Sequence, residues 1–258
     1  MLDEDGWDAL LRARHDGAAP ARLDPALDAL FAPLLAAPEG EDGCLVLGRL
    51  AQTLDGRIAT AGGHSQWIGG QGDIRHTHRL RALFDAVLVG AGTVAADDPR
   101  LTTREARGPD PVRVVLDPER RLPAHHRVFC GGPPTLLCCA ADAPGAEQHG
   151  TAEVLRLPRD AGGVSLPALL RALAARGLRR VFVEGGGVTV SRFLAAGLLD
   201  RLHLTVAPVI LGSGRPAFVL PEAMCIADGM RFGWTVHPLG DDVLFDIPLR
   251  RARPGNCA

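Results

Sequence analysis

The chain has 258 residues, 47% of them hydrophobic, and a formal net charge of −2 at pH 7. That is enough apolar material to bury a large core, which excludes global disorder. No basic excess drives counterion release from a nucleic acid, and no stretch reaches the roughly 20 apolar residues that span a bilayer.

Two missing residue types narrow the chemistry. The chain has no Lys and no Tyr, so lysine Schiff-base enzymes and reductases with a Tyr-Lys proton donor are excluded. Acid–base work must fall to Asp, Glu, His, Cys or bound water. Cys44, Cys130, Cys138, Cys139, Cys225 and Cys257 form no C-x-x-C pair and read as packing residues. His76 and His78 are two apart on a predicted helix and cannot share one metal, so no metal site is expected. The acidic start, Met1-Leu2-Asp3-Glu4-Asp5, lacks the basic and apolar regions of a signal peptide. A cytoplasmic protein is expected.

In chain order, residues 1–42 read as an appendage, partly helical, with Asp24 as N-cap and Pro25 at the first helical position. Residues 44–51 predict a strand and Asp55-Gly56 a turn. A helix is predicted over 73–84, then buried strands over 86–89, 112–116 and 135–139. Residues 142–150 read as a surface loop. A helix over 166–175 leads through Gly177 to a strand at 180–184, three glycines, and a helix over 188–196 that Gly197 ends. A strand over 202–210 and a hairpin from 231–236 and 243–247 close the chain. This order predicts an α/β fold, a mixed and mainly parallel sheet flanked by helices with a C-terminal antiparallel hairpin. Residues 43–250 form the expected domain and 251–258 a tail.

The strongest chemical signal is Val183-Glu184-Gly185-Gly186-Gly187-Val188-Thr189. A strand running through glycines into a helix brings backbone N–H groups and a favourable dipole to a phosphate. Glu184 at a buried strand end is costly unless a ligand, a counter-charge or solvent meets it. Residues 89–104 are a second strand end rich in glycine and polar groups, and Asp97-Asp98-Pro99 within them also reads as a helix stop and turn. Ser65-Gln66-Trp67-Ile68, after a Gly-rich loop, is the third.

Taken with residues 50–59, His78-Arg79-Leu80-Arg81-Ala82 and Ala207-Pro208-Val209-Ile210-Leu211-Gly212, these stretches form an ordered set over about residues 44–218. The set resembles the reductase domain of the bacterial riboflavin deaminase–reductases and its stand-alone relatives, 5-amino-6-(5-phosphoribosylamino)uracil reductases of dihydrofolate-reductase-like fold. The resemblance implies that Ser65, Arg81, Leu101, Arg104 and Glu184 hold substrate, with Glu184 catalytic. It implies that Ala51, Trp67, Thr93, Asp97, Gly186, Gly187, Val188 and Thr189, in a loop reaching Arg192, hold NADPH. It also implies a homodimer, which the apolar run 202–211 suits.

The expected reaction is NADPH-dependent reduction of the ribosyl group of a phosphoribosylamino-pyrimidine to ribityl. Two departures stand out. Arg49 replaces a lysine common in the family, keeping charge without a releasable proton. Pro118 replaces a serine beside the expected 2′-phosphate site, where Arg120 or Arg121 is placed to compensate. No H-x-E with P-C-x-x-C marks a deaminase. Two other readings remain open: a paralogous reductase for another heterocycle, and a non-catalytic NADPH-binding protein, which would not need both arginines and Glu184.

Overall fold

The computed structural model describes residues 4–16, 25–38, 40–66, 68–161 and 163–249. Asp24, Trp67, Cys257 and the tail lie outside the described residues. Two helices come first, α1 (Glu4–Asp16) and α2 (Pro25–Leu35). Then follow β1 (Leu45–Thr53), β2 (Arg57–Thr60), α3 (Gln71–Leu83), β3 (Ala86–Gly90), α4 (Ala91–Asp97) and β4 (Val112–Leu116). The middle holds β5 (Thr135–Ala140), β6 (Gln148–His149), β7 (Ala152–Leu157), β8 (Arg159–Asp160), β9 (Gly163–Val164) and α5 (Leu166–Ala175). The last part holds β10 (Arg180–Glu184), α6 (Gly187–Ala195), β11 (Arg201–Ala207), β12 (Gly214–Pro216), β13 (Thr235–Leu239) and β14 (Asp242–Pro248).

One ten-stranded sheet carries the order β13-β14-β11-β1-β10-β3-β4-β5-β7-β6. The pairs from β11 through β7 are parallel, and β14, β13 and β6 attach antiparallel. This is the predicted mixed, mainly parallel architecture. Strands β3, β4, β5 and β10 are nearly continuous apolar runs whose residues are almost all buried, as strands covered on both faces must be. In α5, Leu166, Leu169, Leu170 and Leu173 recur at helical spacing and are all buried, which fixes that helix on the sheet.

The structure corrects the sequence reading at six places. Residues 91–97 form a helix, α4, of which the sequence showed only the stop at Asp97-Asp98-Pro99, and Asp98 caps it in the left-handed region at φ +40. Strand β7 was missed because Glu153 and Arg156 interrupt its apolar pattern, and β6 lies within the expected loop. The strand predicted over 202–210 ends at Ala207, since Pro208 has no N–H to continue a ladder. Strand β13 starts at Thr235, four residues later than predicted. The N-terminal segment does not stand apart: Trp7, Leu10, Leu30, Phe31 and Leu34 belong to the same buried cluster as the sheet strands.

Helix α3 accounts for its own weak sequence pattern. Every residue from His76 to Leu83 is buried, including His76, His78, Arg79 and Arg81. A helix covered all round needs polar partners from other elements rather than one apolar stripe.

Candidate active site

The carboxyl ends of β1, β3, β4 and β10 open into a cleft of about 860 Å3. This is the end of a parallel sheet at which ligands bind, and the volume suits a sizeable organic ligand. Arg49, Leu50 and Ala51 line it from β1, Gly90 from β3, Leu116 from β4 and Glu184 from β10. The small ribbon of β2 and β12 adds Ile58, Ala59 and Pro216.

One part of the lining is glycine-built. Gly185 and Gly186 have φ of +62 and +70, a region that favours glycine, and α6 starts at Gly187. Thr189 N and Val190 N both donate to Gly186 O. The N–H groups of Gly187 and Val188 sit before them in the first turn, where an α-helix offers no acceptor. Thr93 and Thr189 flank this turn: a Cβ on Gly186 would lie 2.8 Å from Thr93 Oγ1, and one on Gly90 would lie 2.4 Å from Thr189 Oγ1. Backbone donors, two hydroxyls and a helix dipole together make a cradle for a phosphate or pyrophosphate.

The other part is charged. Arg81 donates from Nε to Glu184 Oε2 at 2.7 Å and from Nη2 to Glu184 Oε1, while Nη1 donates to Thr102 O at 2.9 Å. Burial alone would raise the Glu184 carboxyl, but the charge and hydrogen bonds of Arg81, with Arg49 and His78 nearby, hold it below its ordinary value. Glu184 is therefore ionised near neutrality. Arg49 pairs with Asp73, whose second oxygen accepts from Thr205 Oγ1 at 2.7 Å. Burial works against the Arg49 charge, and Asp73 more than restores it, so its pKa is raised.

His78 Nδ1 accepts from Arg104 N at 2.8 Å. Burial, then the charges of Arg81 and Arg104, push the His78 imidazole down to about 4, so it is neutral at pH 7. Ser65 Oγ donates to Asp97 Oδ1 at 2.7 Å. Leu101 is buried with φ +55, a conformation uncommon for a non-glycine residue. Arg104 donates from Nη1 to Thr102 Oγ1 at 2.8 Å and is otherwise exposed along the cleft.

Every described residue that the resemblance singled out lines this one cleft: Ala51, Ser65, Arg81, Thr93, Asp97, Leu101, Arg104, Glu184, Gly186, Gly187, Val188 and Thr189. The arrangement adds what sequence reasoning missed. Arg81 and Glu184 meet each other, as do Ser65 and Asp97, and Asp73, His78 and Thr102 organise the charged part. No local signal marks Asp73, whose partners are 24 and 132 residues away. Arg120 does not compensate for Pro118: its Nη1 donates to Pro144 O and Ala146 O, and it does not line the cleft. Pro118 does line it, together with Arg192 of α6.

The fold and cleft define an α/β protein with a ligand-sized cleft at the carboxyl ends of parallel strands. The RibD C-terminal domain model matches residues 45–224, and the chain belongs to that family. It is 39% identical over 215 residues to the 2,5-diamino-6-ribosylamino-4(3H)-pyrimidinone 5′-phosphate reductase of Methanothermobacter thermautotrophicus, covering 80% of this chain and 98% of that protein. It is 32% identical over 214 residues to the riboflavin biosynthesis protein RibD of Escherichia coli, covering 77% of this chain and 58% of that protein. The solved RibD of Acinetobacter baumannii superposes with a TM-score of 0.71 at 27% identity, covering 87% of this chain and 62% of that one. Among the described residues no helix is long and apolar enough to cross a membrane.

Proposed function

We propose that this chain catalyses the NADPH-dependent reduction of the ribosyl group of a 5-phosphoribosylamino-pyrimidine to ribityl, a step of riboflavin biosynthesis. The observation that carries the reading is the union, in one cleft, of a glycine-built phosphate cradle and an arginine-rich part. The names of the Methanothermobacter and Escherichia coli relatives agree with it.

The cradle fits a dinucleotide. Gly185 and Gly92 have no neighbour within 4 Å where a Cβ would stand, so a pyrophosphate can approach their backbone closely. When bound, NADPH supplies a hydride. Gly186, Gly187, Val188, Thr189 and Thr93 would hold its phosphates and Ala51 and Asp97 would border the rest, with Trp67 added by the family resemblance alone. Arg104 takes the substrate 5-phosphate as a fixed fork of N–H donors. Glu184, kept ionised by Arg81, accepts a hydrogen bond from the substrate and orients it. Arg81 fixes that carboxylate, and Ser65 and Leu101 complete the wall.

The open-chain form of the sugar is an imine, whose C1′ takes the hydride and whose nitrogen takes a proton. Neither ionised Glu184 nor neutral His78 donates a proton near pH 7, so in this reading water does. The protein's contribution is alignment of the two reacting carbons in a cleft that limits solvent.

The reading includes a homodimer and a cytoplasmic setting. Val209 and Ile210, 40% and 72% exposed just past β11, form an apolar surface suited to a second copy. The buried thiols Cys44, Cys138 and Cys139 suit a reducing compartment.

The test is loss of the reduced-nicotinamide absorbance when the protein, NADPH and the phosphorylated pyrimidine are mixed. Turnover should fall sharply when the substrate is dephosphorylated. Equal turnover of both forms points to a paralogue acting on an unphosphorylated heterocycle.

A further inference from the structure

The family match begins at residue 45, yet α1 touches a segment that lines the cleft. The Trp7 indole is 1% exposed, and its Nε1 donates to Arg107 O at 2.9 Å. Asp8 Oδ2 accepts from Arg107 Nη1 at 2.9 Å, and Glu4 Oε2 lies 3.2 Å from Arg107 Nε. The next residue, Gly108, has φ +131, and a Cβ there would lie 2.6 Å from Ala82 Cβ and 3.2 Å from Leu11 Cδ2. The chain at 107–108 is thus wedged between α1 and α3.

Trp7 is itself held firmly. Its ring meets Phe31 edge-on at 6.0 Å, and the Arg79 guanidinium lies 5.3 Å over it. At the far end of α1, Arg14 Nε donates to Leu83 O at 2.9 Å and its Nη2 pairs with Asp85, tying α1 to the end of α3. The surface pairs to Arg107 are weak alone, so the buried indole bond and the Gly108 contact carry the clamp.

Arg107 lies three residues after Arg104 and six after Leu101. The cleft side of the segment is tied to α3 by Arg81 on Thr102 O and by His78 on Arg104 N. Thr103 bonds only within the loop, to Asp110 Oδ1 and Pro109 O, so among the described residues the anchor on the far side of the segment is α1. We propose that α1 is a positioning element of the site: through Trp7 and Arg107 it sets segment 101–108, and with it the guanidinium of Arg104. The inference rests on the reading of Leu101 and Arg104 as substrate residues.

Two variants test it from opposite sides. Trp7→Phe keeps a ring and removes the indole donor, whereas Gly108→Ala pushes the loop off α3 and leaves Trp7 in place. In each, amide exchange at Thr103 and Arg104 of the free protein should speed up about tenfold or more. KM for the phosphorylated pyrimidine should rise roughly five- to twentyfold while the NADPH dissociation constant stays within about twofold. If Trp7→Phe does not fold, the surface pair Glu4→Gln with Asp8→Asn loosens the same clamp, with a smaller shift in the same direction.

Unchanged exchange overturns the inference whatever the activity does. Faster exchange with a wild-type KM shows that segment 101–104 does not hold substrate, which overturns that part of the functional reading and the inference built on it. A parallel loss of NADPH affinity also overturns it, since a general loosening of the fold would move both ligands.

Discussion

Arg81 of α3 grips Glu184 at the end of β10 through two parallel N–H donors, with side chains only 8% and 14% exposed. The pair joins a helix to a strand 103 positions away in the chain and leaves Arg81 Nη1 for Thr102 O. Two residues expected to reach for substrate separately are therefore one unit.

Glu184→Gln tests that unit. The amide keeps one acceptor for Arg81 but leaves a buried guanidinium without its counter-charge. Stability should fall by about 1–3 kcal/mol and turnover by roughly ten- to a hundredfold. Thermal unfolding and steady-state kinetics check both. Wild-type values in both would remove the pair from the site.

Arg104→Ala separates phosphate recognition from folding, because among the described residues this exposed guanidinium hydrogen-bonds only Thr102 Oγ1. Loss of a charge-assisted contact should raise KM for the phosphorylated substrate about ten- to a hundredfold. The thermal midpoint should hardly move. The variant should treat the dephosphorylated substrate as the wild type does, and an equal loss on both would contradict the assignment.

In the proposed function the preference for NADPH over NADH should turn on Arg192. It lines the cleft beside Pro118, and a Cβ on Gly163 would lie 3.2 Å from Pro118 Cγ and 3.8 Å from Arg192 Nη1. NADPH should be preferred, though with Pro118 lacking a hydroxyl the margin rests on one arginine. Arg192→Ala should weaken NADPH about tenfold and leave NADH nearly unchanged. Titration of both nucleotides decides it, and tighter NADH binding by the wild type would sink the cofactor assignment.

Acid stability should be set first by buried histidines. His76 Nε2 meets His203 Nδ1 at 3.0 Å, and both are fully enclosed. Burial, then the charge on His203 and nearby arginines, holds His76 well below 6.5; burial lowers His203 too, although Asp246 opposes it. Between 6.5 and those lower values the unfolded chain binds protons that the native chain does not. Stability is therefore lost as pH falls below 6.5, by up to about 1.4 kcal/mol per unit for each histidine. Burial would raise Asp246, but its bonds to His203 and Arg201 bring it to about 2, so its contribution stays intact until pH drops below 3.8. The urea midpoint should thus already fall between pH 7 and 5. A flat profile over that range would show that the histidines are not held neutral.

The sequence by itself determined the frame and one part of the site. Strands β4 and β10 and helix α5 sit where the apolar runs and glycine stops predicted, because a fully buried strand writes itself as a continuous apolar run. Gly185 and Gly186 were legible for a similar reason: left-handed backbone before a helix start is recorded locally, in residue type. Only the tertiary structure decided the charged part. The pairs Arg81–Glu184, Arg49–Asp73 and Ser65–Asp97 join elements that are not neighbours in sequence, and such pairing leaves no periodic trace. The place of α1 was hidden likewise, since the acceptor of its Trp7 indole lies 100 residues on. A local pattern reports how a segment faces water, and packing alone decides which distant charge it meets.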